Sequence, residues 1–205
     1  MNELTADNLH LWRGEQHVLQ GVEFSVRPGQ CLQVMGANGA GKTTLLRALC
    51  GLAPLEEGRV SWCGRDISVD PESYHLQLSW LGHDHGLKGD LTAAENLRYA
   101  VSVRRRVRPD EIAAALVTVG VPDLAGQRVR QMSAGQRRRV ALARMTLMGG
   151  ALWIMDEPGS NLDLLGQELV SALLRTFLDR GGIAVVATHQ ALDLPSAQLR
   201  PLTLQ

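Results

Sequence analysis

The sequence predicts an α/β fold in which a mostly parallel sheet is flanked by helices, with an antiparallel β edge and a small helical subdomain. Two observations support this prediction. Strand-like and helical segments alternate after residue 132, and a glycine-rich loop near residue 40 joins an apolar strand to a helix. Such alternation is typical of parallel strands covered by helices. With 205 residues and 45% hydrophobic content, the chain can bury one sizeable core.

The first third of the chain supplies the antiparallel edge and the first strand–helix unit. Residues 4–11 and 18–26 have the composition of short strands that follow each other closely, as in an antiparallel pair. An apolar strand then begins at Cys31 and leads into the glycine-rich loop. The pattern after the loop predicts a helix over residues 42–50, with Gly51 well placed as its carboxyl-terminal cap.

The middle third is predicted to form the helical subdomain. Strand candidates lie at residues 59–62 and 76–81, and helical patterns follow at residues 93–103 and 109–119. The expected organisation is therefore one domain over residues 1–205, with its core at residues 1–82 and 133–205 and its helical subdomain at residues 83–132.

The last third alternates helix and strand. A long helix is expected from Ser133 to about Met148, and a strand at residues 151–155 follows it. A helix at residues 164–178 and a strand at residues 183–187 complete the pattern. Parallel strands joined by helical crossovers give this order, so we expect these strands to belong to the same sheet as the strand from Cys31.

Composition argues against several classes of function. Lys plus Arg and Asp plus Glu number 21 each, so the net charge favours neither nucleic acid nor anionic lipid. The apolar stretches at residues 151–155 and 183–187 are far shorter than the roughly 20 residues of a membrane-spanning helix. The first eleven residues lack a basic start followed by an apolar run, so we expect no export signal and a cytoplasmic protein.

Two further features have structural interpretations. Cys31, Cys50 and Cys63 are odd in number and lack metal-ligand spacing, which predicts buried free thiols rather than disulfides or a zinc site. The arginine-rich run at residues 104–108 predicts a solvated helix end, with a contact to a partner or a lipid headgroup as the alternative.

The clearest chemical signal is the loop Gly36-Ala37-Asn38-Gly39-Ala40-Gly41-Lys42-Thr43. It fits the phosphate-binding P-loop pattern and lies between an apolar strand and a helix, as that pattern requires. Its glycines let successive backbone N–H groups point at a phosphate, and the start of the helix adds a positive dipole. Lys42 can reach the β- and γ-phosphate oxygens, and the Thr43 hydroxyl can coordinate Mg²⁺. A P-loop alone is compatible with a GTPase, a small-molecule kinase, a helicase or a transporter ATPase.

Two acids follow the apolar strand at residues 152–155. Asp156 would lie at the strand tip next to the phosphate loop, where its carboxylate can join Thr43 as a ligand of Mg²⁺. Glu157 is then free to orient the attacking water and to accept its proton. We therefore predict Glu157 as the catalytic base. The alternative is a solvent-exposed acidic pair that opens a loop before Pro158.

Three more segments resemble the ABC transporter ATPases. Residues 132–136, Met-Ser-Ala-Gly-Gln, are similar to the signature motif of that family, which is usually Leu-Ser-Gly-Gly-Gln. Ser133 is also a plausible amino-terminal cap for the helix that follows. Residues 160–163 resemble the D-loop, and His189, after a predicted strand, resembles the switch histidine. These segments, the P-loop and the strand with its two acids occur in the family's order.

The resemblance implies ATP and Mg²⁺ as cofactors and a second copy of the chain as a partner. The signature would contact the γ-phosphate of ATP held by the other copy, in a head-to-tail dimer. The catalytic residues would be Lys42, Glu157 and His189, with His189 contacting the γ-phosphate and holding Glu157. Trp12, placed in the loop between the first two strands, resembles the aromatic residue that stacks on adenine, with a structural indole as the alternative. The implied ATP contacts are Trp12, Gly36, Ala37, Asn38, Gly39, Ala40, Gly41, Lys42, Thr43, Thr44, Ser133, Gly135 and Gln136.

One branch of the family is resembled more closely. The family as a whole usually has a glutamine at the start of the loop to the helical subdomain, whereas the aligned residue here is His83, within the stretch at residues 80–88. That stretch, Ala134 and the run at residues 136–144 resemble the ATP-binding subunit of the cytochrome c maturation haem exporter. Gly159 and its neighbours depart from the family's phenylalanine-containing stretch. His83 is implied as a third Mg²⁺ contact, and we do not predict haem binding by the chain.

The resemblance also implies partners and a location. The chain would bind an integral membrane subunit of the haem exporter permease type and lie peripherally on the cytoplasmic face of the bacterial inner membrane. ATP hydrolysis would be coupled to haem export or to release of the haem chaperone. Three alternatives remain: the ATPase of another small ABC exporter, a soluble ABC-type ATPase acting on nucleic acid or ribosomes, and a nucleotide kinase. The neutral net charge argues against nucleic acid as a partner.

Overall fold

The structure is a computed structural model that describes residues 2–204. The first and last residues of the predicted core, Met1 and Gln205, lie outside the described residues. The elements in chain order are β1 (Leu4–Arg13), β2 (Gln16–Val26), β3 (Cys31–Met35), α1 (Lys42–Leu49), β4 (Glu57–Trp62), β5 (Arg65–Asp66), α2 (Pro71–Gln77), β6 (Leu78–Leu81), α3 (Ala93–Ser102), α4 (Pro109–Thr118), α5 (Ala134–Met148), β7 (Leu152–Asp156), α6 (Leu164–Asp179), β8 (Ile183–Ala187) and β9 (Leu199–Thr203).

The centre of the fold is a five-stranded parallel sheet in the order β6-β7-β8-β3-β9. All five residues of β7 and all five of β8 are buried, because helices or other strands cover both faces of the sheet. The carboxyl ends of β3, β7 and β8 lie side by side, since the strands run parallel. The loops that follow these three strands therefore meet at one edge, which is where open α/β sheets place their ligands.

The antiparallel strands form a second sheet of their own, in the order β2-β1-β4-β5. β1 and β2 are joined by a tight turn consisting of Gly14 and Glu15, and Gly14 has the positive φ of 60° that such turns need. The strands are therefore longer than their apolar patterns suggested. The placement of Trp12 in a loop was wrong, because this residue belongs to β1.

The helices α3 and α4 pack against α5 and share its apolar core. Leu97 and Leu116 belong to the same buried cluster as Val140 of α5 and Trp153 of the parallel sheet. The start of α3 is fixed by a capping box in which Thr92 and Glu95 satisfy each other's backbone N–H groups. The boundaries of a helical subdomain at residues 83 and 132 stay a prediction, because the apolar core crosses them without interruption.

The arginine-rich run is more than a solvated helix end. Arg104 donates to the backbone carbonyls of His75, Leu76 and Leu78, and Arg105 donates to the carbonyl of Leu147. These two side chains link the end of α3 to the neighbouring elements, because their guanidinium N–H groups donate to backbone carbonyls there. Arg105 is nevertheless exposed, as predicted for a solvated end, whereas Arg104 is half-buried.

Three elements, β5, α2 and β9, were not predicted, and one cysteine is not buried as was expected. The helix α2 takes up the first part of the predicted strand at residues 76–81, so that β6 begins only at Leu78, and β9 adds an edge strand beside β3. Cys31 and Cys50 are buried as predicted, whereas Cys63 is exposed. Among the described residues, no helix combines the length and the apolar character that crossing a membrane requires.

Candidate nucleotide-binding site

The glycine-rich loop runs from the end of β3 to the start of α1. Gly41 caps the helix in a left-handed conformation, with φ of 93°, and a Cβ added there would lie 2.8 Å from a methyl carbon of Val18. Only glycine therefore fits without strain. The Lys42 ammonium donates to the carbonyls of Gly36 and Ala37, at 2.7 and 3.0 Å. Its charge is thereby held across the loop, beside the amino-terminal end of α1, which is a favourable position for an anion.

A pair of oxygen ligands lies next to this loop. The Thr43 hydroxyl donates to Asp156 Oδ2 at 2.7 Å, although the two residues come from α1 and from the tip of β7. Asp156 is only 4% exposed, and its carboxylate lies in a largely buried position. A hydroxyl and a carboxylate that touch each other in this way offer the hard oxygen donors that Mg²⁺ prefers. The described residues thus fit a magnesium ion that also takes phosphate oxygens as ligands.

Glu157 and His189 form a second pair at the same edge. His189 Nδ1 lies 3.1 Å from Glu157 Oε1, within hydrogen-bond distance. The backbone N–H of Glu157 donates to the carbonyl of Ala187, which ties the end of β7 to the end of β8. Glu157 has a positive φ of 47°, an uncommon conformation for a residue other than glycine. The carboxylate is thus held by its surroundings in one position beside the phosphate loop.

Lys42, the Thr43–Asp156 pair and Glu157 line one cavity of about 640 Å³, a volume within the range that holds small-molecule ligands. His189 and the predicted loop residues Gly36, Ala37 and Ala40 are not among the described residues of its lining. Four of its lining residues were not predicted from the sequence: Arg13, Gln16, Val18 and Arg47. Trp12 is not among the described residues of the lining, and its ring stacks on His17 at 3.8 Å. The predicted residues that line the cavity are Asn38, Gly39, Gly41, Lys42, Thr43, Thr44, His83, Asp156 and Glu157.

The signature segment lies elsewhere on the chain. Ser133 caps α5, and its side chain and that of Gln136 form a reciprocal capping box, with distances of 2.8 and 3.2 Å. A Cβ added to Gly135 would lie 2.9 Å from the carbonyl oxygen of Asn161, so glycine permits a close approach between α5 and the loop at residues 160–163. In the described part of the chain, Ser133, Gly135 and Gln136 do not line the cavity of their own copy.

Comparison with known proteins identifies the family. A family model described as ABC transporter matches residues 19–160, more than half of the chain. The chain belongs to the ABC transporter family. The resemblance of the chain to the ABC transporter ATPases is thereby confirmed, and the chain is an ATP-binding and ATP-hydrolysing member of that family. The nucleotide kinase alternative is excluded by this membership.

Relatives of this ABC transporter protein carry a more specific name. The chain is 41% identical over 202 residues to the cytochrome c biogenesis ATP-binding export protein CcmA of Vibrio parahaemolyticus, with 98% of each chain covered. It is 44% identical over 192 residues to the protein of the same name from Methylococcus capsulatus, with 93% of each covered. The resemblance to the cytochrome c maturation branch is confirmed by this similarity over nearly the whole chain.

Solved structures confirm the fold class. A putative ABC transporter ATP-binding protein from Pyrococcus furiosus superposes with a TM-score of 0.86 at 23% identity, over 98% of this chain and 97% of that one. A second structure, of an ATP-binding subunit of an ABC transporter, gives a TM-score of 0.83 at 25% identity, over 91% of this chain and 79% of the other. The α/β core and the antiparallel sheet are thus those of an ABC ATPase.

Proposed function

We propose that the chain is the ATPase subunit of an exporter that serves cytochrome c biogenesis, and that it acts as a head-to-tail dimer bound to an integral membrane subunit of the haem exporter permease type. One observation carries the chemical part of the proposal: the Thr43–Asp156 pair and Glu157 line one cavity with the phosphate loop, and His189 contacts Glu157. The names of the CcmA relatives support the biological part.

The geometry supports hydrolysis of ATP with Glu157 as the base. A water molecule oriented by the Glu157 carboxylate attacks the γ-phosphorus, and the bond from that phosphorus to the β,γ-bridging oxygen breaks. The proton of the water passes to Glu157, and ADP and phosphate are released. Mg²⁺ held by Thr43 and Asp156, with His83 as a proposed third contact, would offset the phosphate charge. Lys42 and the backbone N–H groups of the loop would offset the remaining negative charge of the phosphates.

We propose a dimer because the signature segment, residues 132–136, lies away from the nucleotide cavity of its own copy. At the start of α5 the capping box satisfies the backbone N–H groups of Ser133 and Gln136, and in the described part of the chain those of Ala134 and Gly135 are available to a ligand. In a head-to-tail pair, this end would contact the γ-phosphate bound by the P-loop of the partner copy. Loss of that phosphate removes a contact made only in the closed dimer, so hydrolysis shifts the population toward the open form.

Haem is the proposed transported or released species, and its delivery toward the periplasmic haem chaperone is the proposed outcome. The support is the stretch at residues 80–88 with His83, together with the names of the relatives. The chain would then lie peripherally at the cytoplasmic face of the bacterial inner membrane, attached through its partner. The ATPase of another small ABC exporter is the alternative, whereas an ATPase acting on nucleic acid or ribosomes has no support in the chain's balanced charge.

A groove between α3 and the P-loop half of the chain is the proposed contact with the membrane subunit. It has a volume of about 670 Å³ and contains Leu52, Trp80, Tyr99 and Val103. Tyr99 is 58% exposed and Val103 is 79% exposed, unusually high values for large apolar side chains that lie together. The groove also contains Asp84, next to His83, so that a segment bound there would lie close to the nucleotide cavity.

Val103→Asp is expected to reduce co-purification with the membrane subunit by at least about tenfold, because a carboxylate in an apolar interface must lose its water. ATP hydrolysis by the isolated chain should stay near the wild-type rate. The measurement is pull-down from detergent-solubilised membranes, followed by identification of the partner. Val117→Asp is the control, since Val117 is 62% exposed but lies outside the groove lining. Equal retention of the partner by both variants would contradict the proposed groove.

His83→Gln is expected to change coupling more than chemistry. His83 is exposed on the loop between β6 and α3 and lines the nucleotide cavity. Hydrolysis by the isolated chain should stay within about threefold of wild type, whereas ATP-driven transport with the membrane subunit should fall by about tenfold. Both rates are to be measured on the same preparation in proteoliposomes. Equal losses in the two assays would argue against a transmitting role for this loop.

A further inference from the structure

Arg138 is a buried cation with an unusual set of partners. It lies on α5 and has 0% exposure. Its guanidinium donates to four backbone carbonyls: Nε to Pro158 at 3.0 Å, Nη1 to Gly82 at 3.0 Å, Nη2 to Asp156 at 2.7 Å, and Nη2 also to Glu157. Burial lowers the pKa of Arg138 to about 10, and the charges of Asp156 and Glu157 oppose that shift. The side chain therefore keeps its positive charge at neutral pH.

Two of these carbonyls belong to the peptide groups on either side of Glu157. Nη2 holds the carbonyl of Asp156, which precedes the Glu157 nitrogen, and the carbonyl of Glu157 itself. Fixing both flanking peptide planes fixes the direction in which the Glu157 side chain leaves the backbone. The positive φ of Glu157 persists only where surrounding contacts hold it, and Arg138 provides such contacts.

The same guanidinium joins three segments of the proposed mechanism. Arg138 is about one and a half turns beyond Ser133 on a single helix, so the two residues move as one body. Gly82 immediately precedes His83, on the loop toward the proposed membrane contact. Residues 156–158 carry the magnesium ligand and the base. A planar fork of N–H donors can hold two backbone segments against its own helix at once, which a lysine ammonium cannot do in the same geometry.

We propose that Arg138 is a positioning residue that couples the orientation of Glu157 to the contact between Ser133 and the nucleotide bound by the partner copy. The inference rests on the proposed function. In the dimer, the amino-terminal end of α5 would contact one ATP while Glu157 of the same chain serves the other. Movement of α5 on closure is passed through Arg138 to the peptide groups around Glu157. Binding of ATP at one site thus sets the base at the second site, which makes hydrolysis cooperative.

The test compares Arg138→Lys with Arg144→Lys. Arg144 is a matched control, because it lies on the same helix and its Nη atoms donate to the carbonyls of Trp80 and Gly86, neither of which flanks Glu157. For each variant, ATP affinity, kcat, KM and the Hill coefficient for hydrolysis are measured. For Arg138→Lys we expect kcat to fall at least about tenfold, with ATP affinity within about threefold of wild type and a Hill coefficient close to 1. Arg144→Lys should keep the wild-type kcat and Hill coefficient.

Arg138→Gln provides a second variant, since it places a neutral amide with two N–H donors in the buried site and avoids an unsatisfied charge. It should show the same selective loss of kcat. Wild-type kcat and cooperativity in Arg138→Lys would overturn the proposal. Loss of ATP binding together with hydrolysis in both variants would show a purely structural role and would overturn it equally. A wild-type chain that fails to hydrolyse ATP would instead contradict the proposed function itself.

Discussion

Glu157→Gln is expected to lower the rate of ATP hydrolysis by about 10²- to 10⁴-fold, the usual contribution of a positioned general base. The amide keeps the size of the carboxyl group but cannot accept the proton of the attacking water. ATP affinity should stay within about threefold of wild type, because Lys42 and Thr43 are unchanged. The ATP-loaded variant should accumulate as a dimer, since the γ-phosphate that holds the two copies together is no longer removed. Phosphate release, equilibrium ATP binding and size-exclusion chromatography measure the three quantities.

The control for this change is Glu168→Gln, an exposed glutamate on α6. It removes the same charge from the chain without touching the cavity, so its hydrolysis rate should equal that of wild type. If Glu157→Gln retained hydrolysis within about threefold of wild type, Glu157 would no longer be a candidate for the base.

Lys42→Ala is expected to weaken ATP binding itself, by about 3 kcal/mol or roughly a hundredfold in Kd. The ammonium group is held at the mouth of the loop by two carbonyls and is the point charge available to the β- and γ-phosphates. Its removal takes away that contact and leaves the loop amides, the helix dipole and Mg²⁺ to bind the phosphates. Titration with a fluorescent ATP analogue measures the change.

The second lysine of the chain supplies the control. Lys88 lies over the ring of Tyr99, with its nitrogen 4.7 Å from the ring centre, and belongs to the proposed partner groove. Lys88→Ala should therefore bind ATP as wild type does. Unchanged ATP affinity in Lys42→Ala would refute the phosphate-binding role assigned to the loop.

The parallel sheet could be predicted because its strands are marked locally. β7 and β8 are short apolar runs bounded by turn residues, and both are buried along their whole length. The P-loop, Asp156 and Glu157 follow directly on such strands, so their meeting at one edge of the sheet could be inferred from parallel topology alone. These residues lie in short contiguous segments of the sequence, and this is why this part of the site could be predicted.

Elements that depend on distant contacts were missed. In α2, only Tyr74 is buried, so the segment has no helical period of apolar residues, although Asp70 and Pro71 are strong start signals. The strand β9 contains Pro201 and pairs only with β3, at the edge of the sheet. This long-range pairing stabilises β9, and no local sequence pattern indicates it.

Arg13 and Gln16 were missed for a related reason. They belong to β1 and β2, in the antiparallel sheet, and reach the cavity only because that sheet packs beside the P-loop. The extent of the β1–β2 hairpin was also underestimated, since the turn is as short as two residues. Trp12 was placed in a loop for this reason, and its stacking on adenine stays a prediction.

Arg138 shows what helical periodicity could have revealed. It is the middle member of an arginine triplet, and a charge run by itself indicates a solvated surface. Residues 138, 141, 142 and 145 nevertheless recur at helical spacing, and all four are buried. The apolar members of this stripe mark the inner face of α5 and place Arg138 on it. The carbonyls that accept its N–H groups belong to two segments distant in sequence, Gly82 and residues 156–158, so these partners could not be predicted.

The most direct test of the account is a structure of Glu157→Gln with Mg²⁺ and ATP. We predict a head-to-tail dimer in which Lys42 and Thr43 of one copy hold the triphosphate while Ser133 and Gly135 of the other copy contact its γ-phosphate. A nucleotide-loaded pair in which the segment at residues 133–136 faces away from every phosphate would contradict the central claim.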